Sequence, residues 1–249
     1  MPRLSVIIIA KNEAANIGAC LDSVAFGDER IVVDSESIDG TAQVAAERGA
    51  RVLSHPFSGF GAQKNFALSQ AQGDWVLTID ADERVTSELA REIERVMANA
   101  NADGYEIARL SSFCGRQMRH SGWYPDYVLR LFRRGRARFT DALVHERVVC
   151  DGKVGRLDQL LLHEPVMRLE DALSRMDRYS TSGAAMIGAA GKRVTFISGI
   201  GHGLWAFFRT YVLRAGFLDG PEGFLLAVAN AEGTYYRYMK AWLAGRRRD

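Results

Sequence analysis

The motif with the clearest chemical potential is Asp80-Ala81-Asp82, which ends an apolar segment at residues 74–80. Side chains two residues apart in extended backbone point to the same side, so the two carboxylates would lie together. Paired carboxylates at a strand end can bind a hard divalent cation or the hydroxyls of a ribose. The alternative is a solvated turn with a helix-capping acid, since short motifs of this kind often occur by chance.

Further polar side chains follow the preceding apolar segments. Asn12 and Glu13 come after the first segment, and Asp34 ends the second. Asp39 leads into a Gly-Thr helix start, and Lys64 lies in the segment before the Asp-x-Asp motif. Lys64 could equally be a solvated helix cation. Three strand ends that each carry a carboxylate predict one shared binding crevice.

The elements that would position these side chains alternate between strand and helix. Runs of β-branched and other apolar residues predict strands at residues 4–10, 30–34, 51–54 and 74–80. Helical spacing predicts helices at residues 13–23, 40–49, 62–72 and 86–99. This rhythm predicts an α/β fold built from βαβ units, with an open, mostly parallel sheet flanked by helices. Ligands of such sheets bind at the carboxyl ends of the strands.

The rest of the chain is predicted to be less regular. Two further strands are expected at residues 104–110 and 128–133. Asp151-Gly152 is a turn signal, which predicts a hairpin between residues 147–149 and 154–156. A long helix is expected at residues 169–190, and residues 219–223 separate two aromatic-rich segments, at 204–217 and 224–243.

In their order along the chain, these motifs resemble the inverting glycosyltransferases of family 2, which have a GT-A fold. The matching segments are residues 10–13, 34–41, 61–65 and 80–83. His145-Glu146, RLFRR at 130–134 and the later GFLDGPEGF look like the branch that acts on lipopolysaccharide core. That branch includes glucosyltransferases that add β-linked glucose to core heptose. The resemblance therefore implies a GT-A-like sheet with a helical, aromatic and basic C-terminal extension.

The resemblance also implies a role for each matching residue. The residues implied to bind the nucleotide-sugar donor are Ala10, Asn12, Glu13, Asp34, Asp39, Lys64 and Asp80. Among them, Asp34 would accept a hydrogen bond from uracil, Lys64 would lie near the diphosphate and Asp80 would face the ribose. Asp82 would coordinate Mg²⁺ or Mn²⁺, which stabilises charge on the leaving diphosphate.

An inverting transfer also needs a base that removes the proton of the acceptor hydroxyl. Many family members carry a Glu-Asp pair for this, and no such pair occurs at the expected place. We expect Glu146 to be the base, with His145 beside it in the acceptor site and Asp141 in reserve. Glu146 could instead only form an ion pair with Arg147. His163 is either a further metal or diphosphate ligand or a structural histidine.

Residues 116–138 combine seven arginines with interleaved aromatic residues and one acid, Asp126. Such a stretch can bind nucleic acid, bind a phosphorylated sugar or form a solvated basic loop. Because it lies between the donor motif and the expected base, we interpret it as an acceptor loop. Trp123, Tyr124 and Arg130 are its expected acceptor contacts, and no nucleic-acid partner is predicted.

The net charge of +2 conceals an asymmetry, since residues 1–104 contain 9 Lys/Arg and 16 Asp/Glu, whereas residues 105–249 contain 23 and 14. Aromatic residues interleaved with Lys and Arg after residue 204 are typical of a helix on an anionic membrane. Core packing or a subunit interface would explain them too.

The longest uncharged run, residues 194–208, is too short for a transmembrane helix, and the first apolar stretch is too short for a signal peptide. The 3 cysteines are widely spaced, which favours reduced thiols. The sequence thus predicts a cytoplasmic protein that is peripheral on the inner face of the cytoplasmic membrane.

These observations predict three segments: a donor half at residues 1–105, an acceptor half at 106–168 and a helical membrane or interface extension at 169–249. The predicted function is inverting, metal-dependent transfer of a hexose, expected to be glucose from UDP-glucose. The expected acceptor is a phosphorylated glycolipid such as lipopolysaccharide inner-core heptose. Polyprenyl phosphate or another cell-envelope glycan is the alternative acceptor. A nucleotidyltransferase and a non-catalytic polyanion binder are the other candidates, and the oligomeric state is not predicted.

Overall fold

The computed structural model describes residues 2–140, 147–166 and 168–246. The chain forms two compact units. The first comprises Met1–Arg109 and Asp126–His163, and the second comprises Leu110–Pro125 and Glu164–Asp249. The arginine-rich stretch at 116–138 is therefore divided between the units, with residues 116–125 in the second and 126–138 in the first.

The described residues form strands and helices that largely follow the predicted ones. The strands are β1 (Leu4–Ala10), β2 (Glu29–Asp34), β3 (Arg51–Ser54), β4 (Trp75–Asp80), β5 (Glu83–Val85), β6 (Gly104–Phe113), β7 (Arg116–Gln117), β8 (Asp126–Arg133), β9 (Ala137–Phe139), β10 (Val148–Cys150) and β11 (Val154–Val166). The helices are α1 (Ala14–Ser23), α2 (Thr41–Glu47), α3 (Phe60–Ser69), α4 (Ser87–Ala98), α5 (Leu169–Ala189), α6 (Phe196–Phe208) and α7 (Gly220–Arg246).

The main sheet has the strand order β3-β2-β1-β4-β8-β6-β11-β5. Strands β3, β2, β1 and β4 are parallel, and β8 begins an antiparallel part next to β4. This confirms the predicted α/β fold with an open sheet and locates its parallel part. Ala10 lies opposite Asp34, and Ile9 lies opposite Asp80, so the carboxyl ends of β1, β2 and β4 are level.

Strand β1 is buried on both faces, as its β-branched run predicts. Leu4, Val6 and Ile8 belong to a core that includes buried residues of α1, α2 and α4. Ile7 belongs to a second core that includes Ala67 of α3. The side chains of β1 thus alternate between helices on opposite faces of the sheet, which fixes the strand ends that carry the polar residues.

One sequence prediction for the later strands is wrong, and one short strand was missed. Strand β10 pairs with β9 rather than forming a hairpin with β11, although Gly152 has the positive φ (141°) that its turn signal predicts. The short strand β5 was not predicted, and it pairs with β11 so that Glu83 lies opposite His163. Residues 219–223 lie between the two aromatic-rich segments, and α7 begins at Gly220 within them.

The second unit consists mainly of α5, α6 and α7, with α7 packed against both others. A π-helical turn (Arg209–Leu213) and a 3₁₀ turn (Gly216–Asp219) connect α6 to α7. The buried carboxylate of Asp219 accepts hydrogen bonds from the backbone of Arg119 and His120 and from Ser121 Oγ. Among the helices in the described ranges, none is long and apolar enough to cross a bilayer.

Candidate active site

The loops that follow β1 and β2 are joined by hydrogen bonds at the carboxyl edge of the sheet. Asn12 adopts a positive φ (56°), its backbone N–H donates to Ser37 Oγ (2.8 Å), and its Oδ1 accepts from the Ile38 N–H (3.0 Å). The N–H of Glu13 donates to Thr41 Oγ1 at 2.8 Å. Asn tolerates the left-handed conformation better than most residues, so Asn12 can turn the chain here while it holds both loops.

Asp39 joins the same two loops from the other side. Its Oδ2 accepts a hydrogen bond from the N–H of Ala14, which is the first residue of α1 (3.0 Å). Its Oδ1 accepts a hydrogen bond from the N–H of Thr41 (3.1 Å). The Thr41 side chain and the Ala14 amide hold the pKa of Asp39 below its ordinary value. Burial raises the pKa of Glu13, and the charges of Asp82 and Asp39 add to this increase. These acids therefore share one electrostatic environment at the strand ends.

Asp34, the last residue of β2, is only 5% exposed. Its Oδ2 accepts a hydrogen bond from the Ser37 N–H at 3.0 Å. Within the residues that the structure describes, its Oδ1 is buried and has no hydrogen-bond partner. Buried carboxylate oxygens are normally hydrogen-bonded, so this atom can accept a hydrogen bond from a ligand that reaches the end of β2 beside Ala10.

Lys64 reaches the site from α3. The next residue, Asn65, exchanges two hydrogen bonds of 2.9 Å with the backbone of Phe139, which fixes the helix beside β9. The side chain of Lys64 is buried, and its Nζ lies 3.0 Å from Asp80 Oδ1. Lys64 is thus not the solvated helix cation of the alternative interpretation.

Asp80 and Glu83 share the guanidinium of Arg130. Arg130 Nη2 lies 2.6 Å from Asp80 Oδ2 and 2.6 Å from Glu83 Oε1. Glu83 Oε2 accepts from the Asp80 N–H at 2.9 Å, and Arg109 Nη1 is 3.4 Å from Glu83 Oε1. Burial alone would raise the pKa of Asp80, but Arg130 and Lys64 outweigh it and lower this pKa. Asp80 is therefore held as a carboxylate in a fixed orientation.

The structure places Arg130 within this charge cluster, with its side chain 7% exposed. Its Nη2 is engaged by two carboxylates, while its Nε is buried without a hydrogen-bond partner among the described residues. Glu83, which is 0% exposed, and Arg109 were not identified as site residues from the sequence. Two signals could have revealed them: an acid directly after the Asp-x-Asp motif and the one cation of a predicted strand.

Asp82 lies beside His163, with 3.4 Å between Asp82 Oδ2 and His163 Nε2. Burial alone would raise the pKa of Asp82, but the hydrogen bond and charge of His163 outweigh it, so this pKa is lowered. In the described part of the chain, no group of three or more His, Cys, Asp or Glu side chains could hold a metal ion. Mg²⁺ commonly uses one or two carboxylates together with substrate phosphates, and this sparse donor set fits that pattern.

A cavity of about 670 Å³ opens next to the charge cluster in the first unit. Its charged lining residues are Lys64, Asp80, Glu106, Arg109, Asp126, Arg130 and Arg147. The cavity has the size of a small-molecule site, and its mixed charges suit a polar ligand rather than an apolar one.

The structure describes only some of the expected acceptor residues. Asp141, His145 and Glu146 lie outside the described residues. Trp123 and Tyr124 belong to the second unit, where Trp123 packs edge-on against Phe113 with 5.9 Å between ring centroids. The described first unit therefore brings together the donor and metal candidates, and the role of the acceptor candidates stays a prediction.

Comparison with known proteins gives related sequences along nearly the whole chain. Residues 5–159 match the family described as Glycosyl transferase family 2. The chain is 34% identical over 253 residues to the lipopolysaccharide core biosynthesis glycosyltransferase LpsC of Rhizobium meliloti, covering 96% of this chain and 90% of LpsC. It is 32% identical over 253 residues to an uncharacterised glycosyltransferase of Rickettsia typhi, covering 96% and 87% of the two chains.

A solved structure is similar over a shorter part of the chain. It is glucosyl-3-phosphoglycerate synthase of Mycobacterium tuberculosis, in complex with Mn²⁺, UDP and glucosyl-3-phosphoglycerate. The similarity covers 45% of this chain and 44% of that chain, with 28% sequence identity and a TM-score of 0.38.

Proposed function

Because the chain belongs to glycosyl transferase family 2 and is a glycosyltransferase, we propose that it transfers glucose from UDP-glucose to lipopolysaccharide inner-core heptose. The match to LpsC along 96% of the chain supports this class of acceptor. Polyprenyl phosphate or another cell-envelope glycan is the second candidate acceptor. A panel of acceptors with one radiolabelled donor distinguishes the two.

The observation that carries the donor assignment is the buried, unpartnered Oδ1 of Asp34 at the end of β2. A uracil ring offers an N–H donor to such an atom, and the loops held by Asn12 and Asp39 would frame the nucleoside next to Ala10 and Glu13. Lys64 would neutralise diphosphate charge, and Asp80, oriented by Arg130, would accept from a ribose hydroxyl. Arg130 would position Asp80, and, because it also lines the cavity next to the charge cluster, it remains a proposed acceptor contact.

Asp82 is the proposed carboxylate ligand of Mg²⁺ or Mn²⁺, with His163 beside it as a further ligand. When bound, the cation supplies positive charge that stabilises the leaving nucleoside diphosphate. The remaining ligands would come from the diphosphate itself and from water. The metal would therefore bind tightly only together with the nucleotide.

We propose an inverting transfer in which Glu146 removes the proton of the acceptor hydroxyl, with Asp141 in reserve. His145, Trp123 and Tyr124 are the other proposed acceptor contacts. This part rests on the sequence pattern, and the anomeric configuration of the product, measured by NMR, tests it. A product that retains the donor configuration would contradict the inverting mechanism.

The donor and metal assignments are tested with a panel of nucleoside diphosphate sugars, using donor hydrolysis and thermal shift as readouts. We expect UDP-glucose to be preferred, EDTA to abolish activity and Mn²⁺ or Mg²⁺ to restore it. Asp82→Ala is expected to lose activity, and Asp34→Asn to bind UDP about ten-fold more weakly. Asp22→Asn, an exposed acid paired with Arg48, is the matched control. Full activity of Asp82→Ala would refute the metal assignment.

We further propose that α6 docks on an anionic membrane surface. Its buried residues are small (Gly199, Gly203 and Ala206). Its large apolar residues are exposed at helical spacing on the outward side: Ile197, Ile200, Leu204, Trp205 and Phe208. Ile197 and Leu204 are 78% and 68% exposed. A helix that packs through small residues and presents large apolar ones outward is suited to an interface.

The charge around α6 supports lipid as the occupant of this surface. Residues 178–218 contain five Lys or Arg and no Asp or Glu. Cations next to exposed aromatic and aliphatic side chains complement an anionic bilayer. The chain would then act as a peripheral protein on the cytoplasmic face of the membrane, where a lipid-linked acceptor is accessible.

Co-sedimentation with phosphatidylglycerol-containing vesicles tests the membrane proposal. We expect a Leu204→Ser, Trp205→Ser double variant to bind at least about ten-fold more weakly than wild type. Ile38→Ser is the control, because Ile38 is 92% exposed but belongs to the first unit. An unchanged affinity of the double variant, or wild-type self-association that this variant abolishes, would contradict membrane docking.

A further inference from the structure

The second unit contains a cavity that is lined by none of the proposed donor or metal residues, although Trp123, a proposed acceptor contact, is among its lining residues. Its volume is about 470 Å³, within the range of small-molecule sites. Four arginines contribute to its lining: Arg175 of α5, Arg209 and Arg214 around the π-helical turn, and Arg237 of α7. No acid is among the lining residues that the structure describes.

Three of the four arginines of this cavity are not balanced by ion pairs among the described residues of the unit. Over the described ranges, the side chains of Arg209, Arg214 and Arg237 form no ion pair with an Asp or Glu. Asp219 contacts the lining residue Ser121, but it is 2% exposed and its oxygens accept from residues 119–121. Arg209, Arg214 and Arg237 thus place three cations without a carboxylate partner on the lining of one cavity, which favours an anionic ligand there.

Two glycines leave space for the side chains of two of these arginines, Arg214 and Arg237. A Cβ at Gly122 (φ 80°) would be 2.4 Å from Arg214 Nη1, and a Cβ at Gly183 would be 2.8 Å from Arg237 Nε. Substituting either glycine would displace a guanidinium. The local backbone is therefore compatible with these arginines only because both positions lack a side chain.

The other lining groups indicate what the anion is attached to. Ser180, Thr210 and Thr234 line the cavity with hydroxyl groups, while Trp123 and Tyr179 line it with aromatic rings. One guanidinium group can donate two parallel hydrogen bonds to two oxygens of a phosphate. Aromatic rings pack against sugar rings or lipid glycerol. We propose that this cavity binds a phosphomonoester, carried by a soluble sugar phosphate or by a lipid headgroup.

Calorimetric titration of the full chain with inorganic phosphate, in EDTA and at constant ionic strength, tests this site. We expect Arg175→Gln and Arg237→Gln each to weaken phosphate binding about ten-fold or more. Arg178→Gln is the matched control, since Arg178 is an exposed cation of α5 that does not line the cavity. Absence of phosphate binding to wild type, or equal weakening by Arg178→Gln, would overturn the proposal.

Two further measurements complete this experiment. One distinguishes a soluble sugar phosphate from a lipid headgroup, and the other distinguishes this cavity from the proposed transfer site. Glucose 6-phosphate and phosphatidic acid vesicles are compared as competitors of inorganic phosphate, and whichever competes at the lower concentration identifies the source. Competition by neither would overturn the proposal. Asp82→Ala is expected to bind phosphate like wild type, so loss of transfer activity and loss of this site are distinguishable. Equal melting temperatures of the arginine variants and wild type show that folding is not the cause.

Discussion

At the scale of single residues, Arg130 is the side chain on which the charge cluster depends. It lies between Asp80 and Glu83, with 2.6 Å to each carboxylate. Arg130→Gln would leave two carboxylates without their shared cation, and we expect it to lower the free energy of unfolding by about 3–5 kcal/mol. Arg130→Lys should recover only part of this, because an ammonium is more strongly hydrated than a guanidinium and therefore costs more free energy to bury. Urea denaturation measures both changes.

The control for Arg130 is an arginine whose ion pair is exposed. Arg138 lies 3.2 Å from Asp151, and both side chains are exposed to solvent. Exposed pairs contribute about 0–1 kcal/mol, so Arg138→Gln should have a small effect on stability. Similar losses for Arg130→Gln and Arg138→Gln would show that burial does not strengthen the Arg130 cluster.

The thiol of Cys20 gives a second prediction at this scale. Burial raises the pKa of Cys20 to about 12, and its Sγ lies 3.5 Å from the backbone oxygen of Asp80. The thiolate is the reactive form, so iodoacetamide should modify Cys20 only after unfolding, and the half-buried Cys114 and Cys150 earlier. Peptide mapping by mass spectrometry in buffer and in urea measures the difference. Native Cys20 that reacts as fast as Cys150 would contradict it.

At the scale of elements, Glu29 joins three segments at the end of the sheet away from the candidate site. Its carboxylate accepts from Ser5 Oγ of β1 and from the Gln72 N–H (2.6 Å), just before β4. Burial alone would raise the pKa of Glu29, but the Ser5 and Gln72 hydrogen bonds outweigh it and lower this pKa. The folded state therefore binds the proton of Glu29 more weakly than the unfolded state does.

This difference makes a pH-dependent contribution to stability. With its pKa lowered by folding, Glu29 stabilises the fold above the unfolded pKa of ~4.3, and the contribution is lost as the pH falls. The wild type should therefore exceed Glu29→Gln in free energy of unfolding near neutral pH, and the gap should narrow on acidification. Urea denaturation across this range measures the gap, and a constant difference would contradict the assignment.

The elements also show which features the sequence could predict. The bounds of β1 and β3 were predicted correctly, because apolar β-branched runs between turn signals are local features. The start of α4 was predicted to within one residue, and the N-cap Thr86 accepts a hydrogen bond at its Oγ1 from the Leu89 N–H at 3.2 Å. The partner of β10 was not predictable, because Asp151-Gly152 indicates a turn but not which strand pairs with the segment before it.

The site residues that could be predicted are those that lie at the end of a predicted strand. Asp34 and Asp80 follow directly from their strands, and the parallel register places both strand ends at one edge of the sheet. The bridging position of Arg130 depends on β8 lying next to β4, a long-range antiparallel pairing that periodicity does not reveal. The proximity of Asp82 and His163 likewise depends on the unexpected pairing of β5 with β11.

At the scale of the whole molecule, the two units also differ in net charge, although less than the two halves of the sequence do, whose net charges are −7 and +9. The second unit contains 14 Lys/Arg and 8 Asp/Glu, and the first contains 18 and 22, giving net charges of +6 and −4. The family and the α/β fold predicted from the sequence are both confirmed. The acidic unit carries the proposed donor site, and the basic unit carries α6 and the arginine cavity.

This division predicts how salt would affect the membrane binding that we propose for the chain. Electrostatic attraction by the basic unit is screened when the Debye length falls from about 10 Å at 0.1 M salt to about 3 Å at 1 M. Across this range we expect the affinity for phosphatidylglycerol vesicles to fall at least about ten-fold. The remaining binding should disappear in the Leu204→Ser, Trp205→Ser variant, because burial of apolar side chains is not screened by salt. Co-sedimentation measures both effects, with phosphatidylcholine vesicles as the control. Salt-independent binding would show that the charge of the second unit does not contribute to docking.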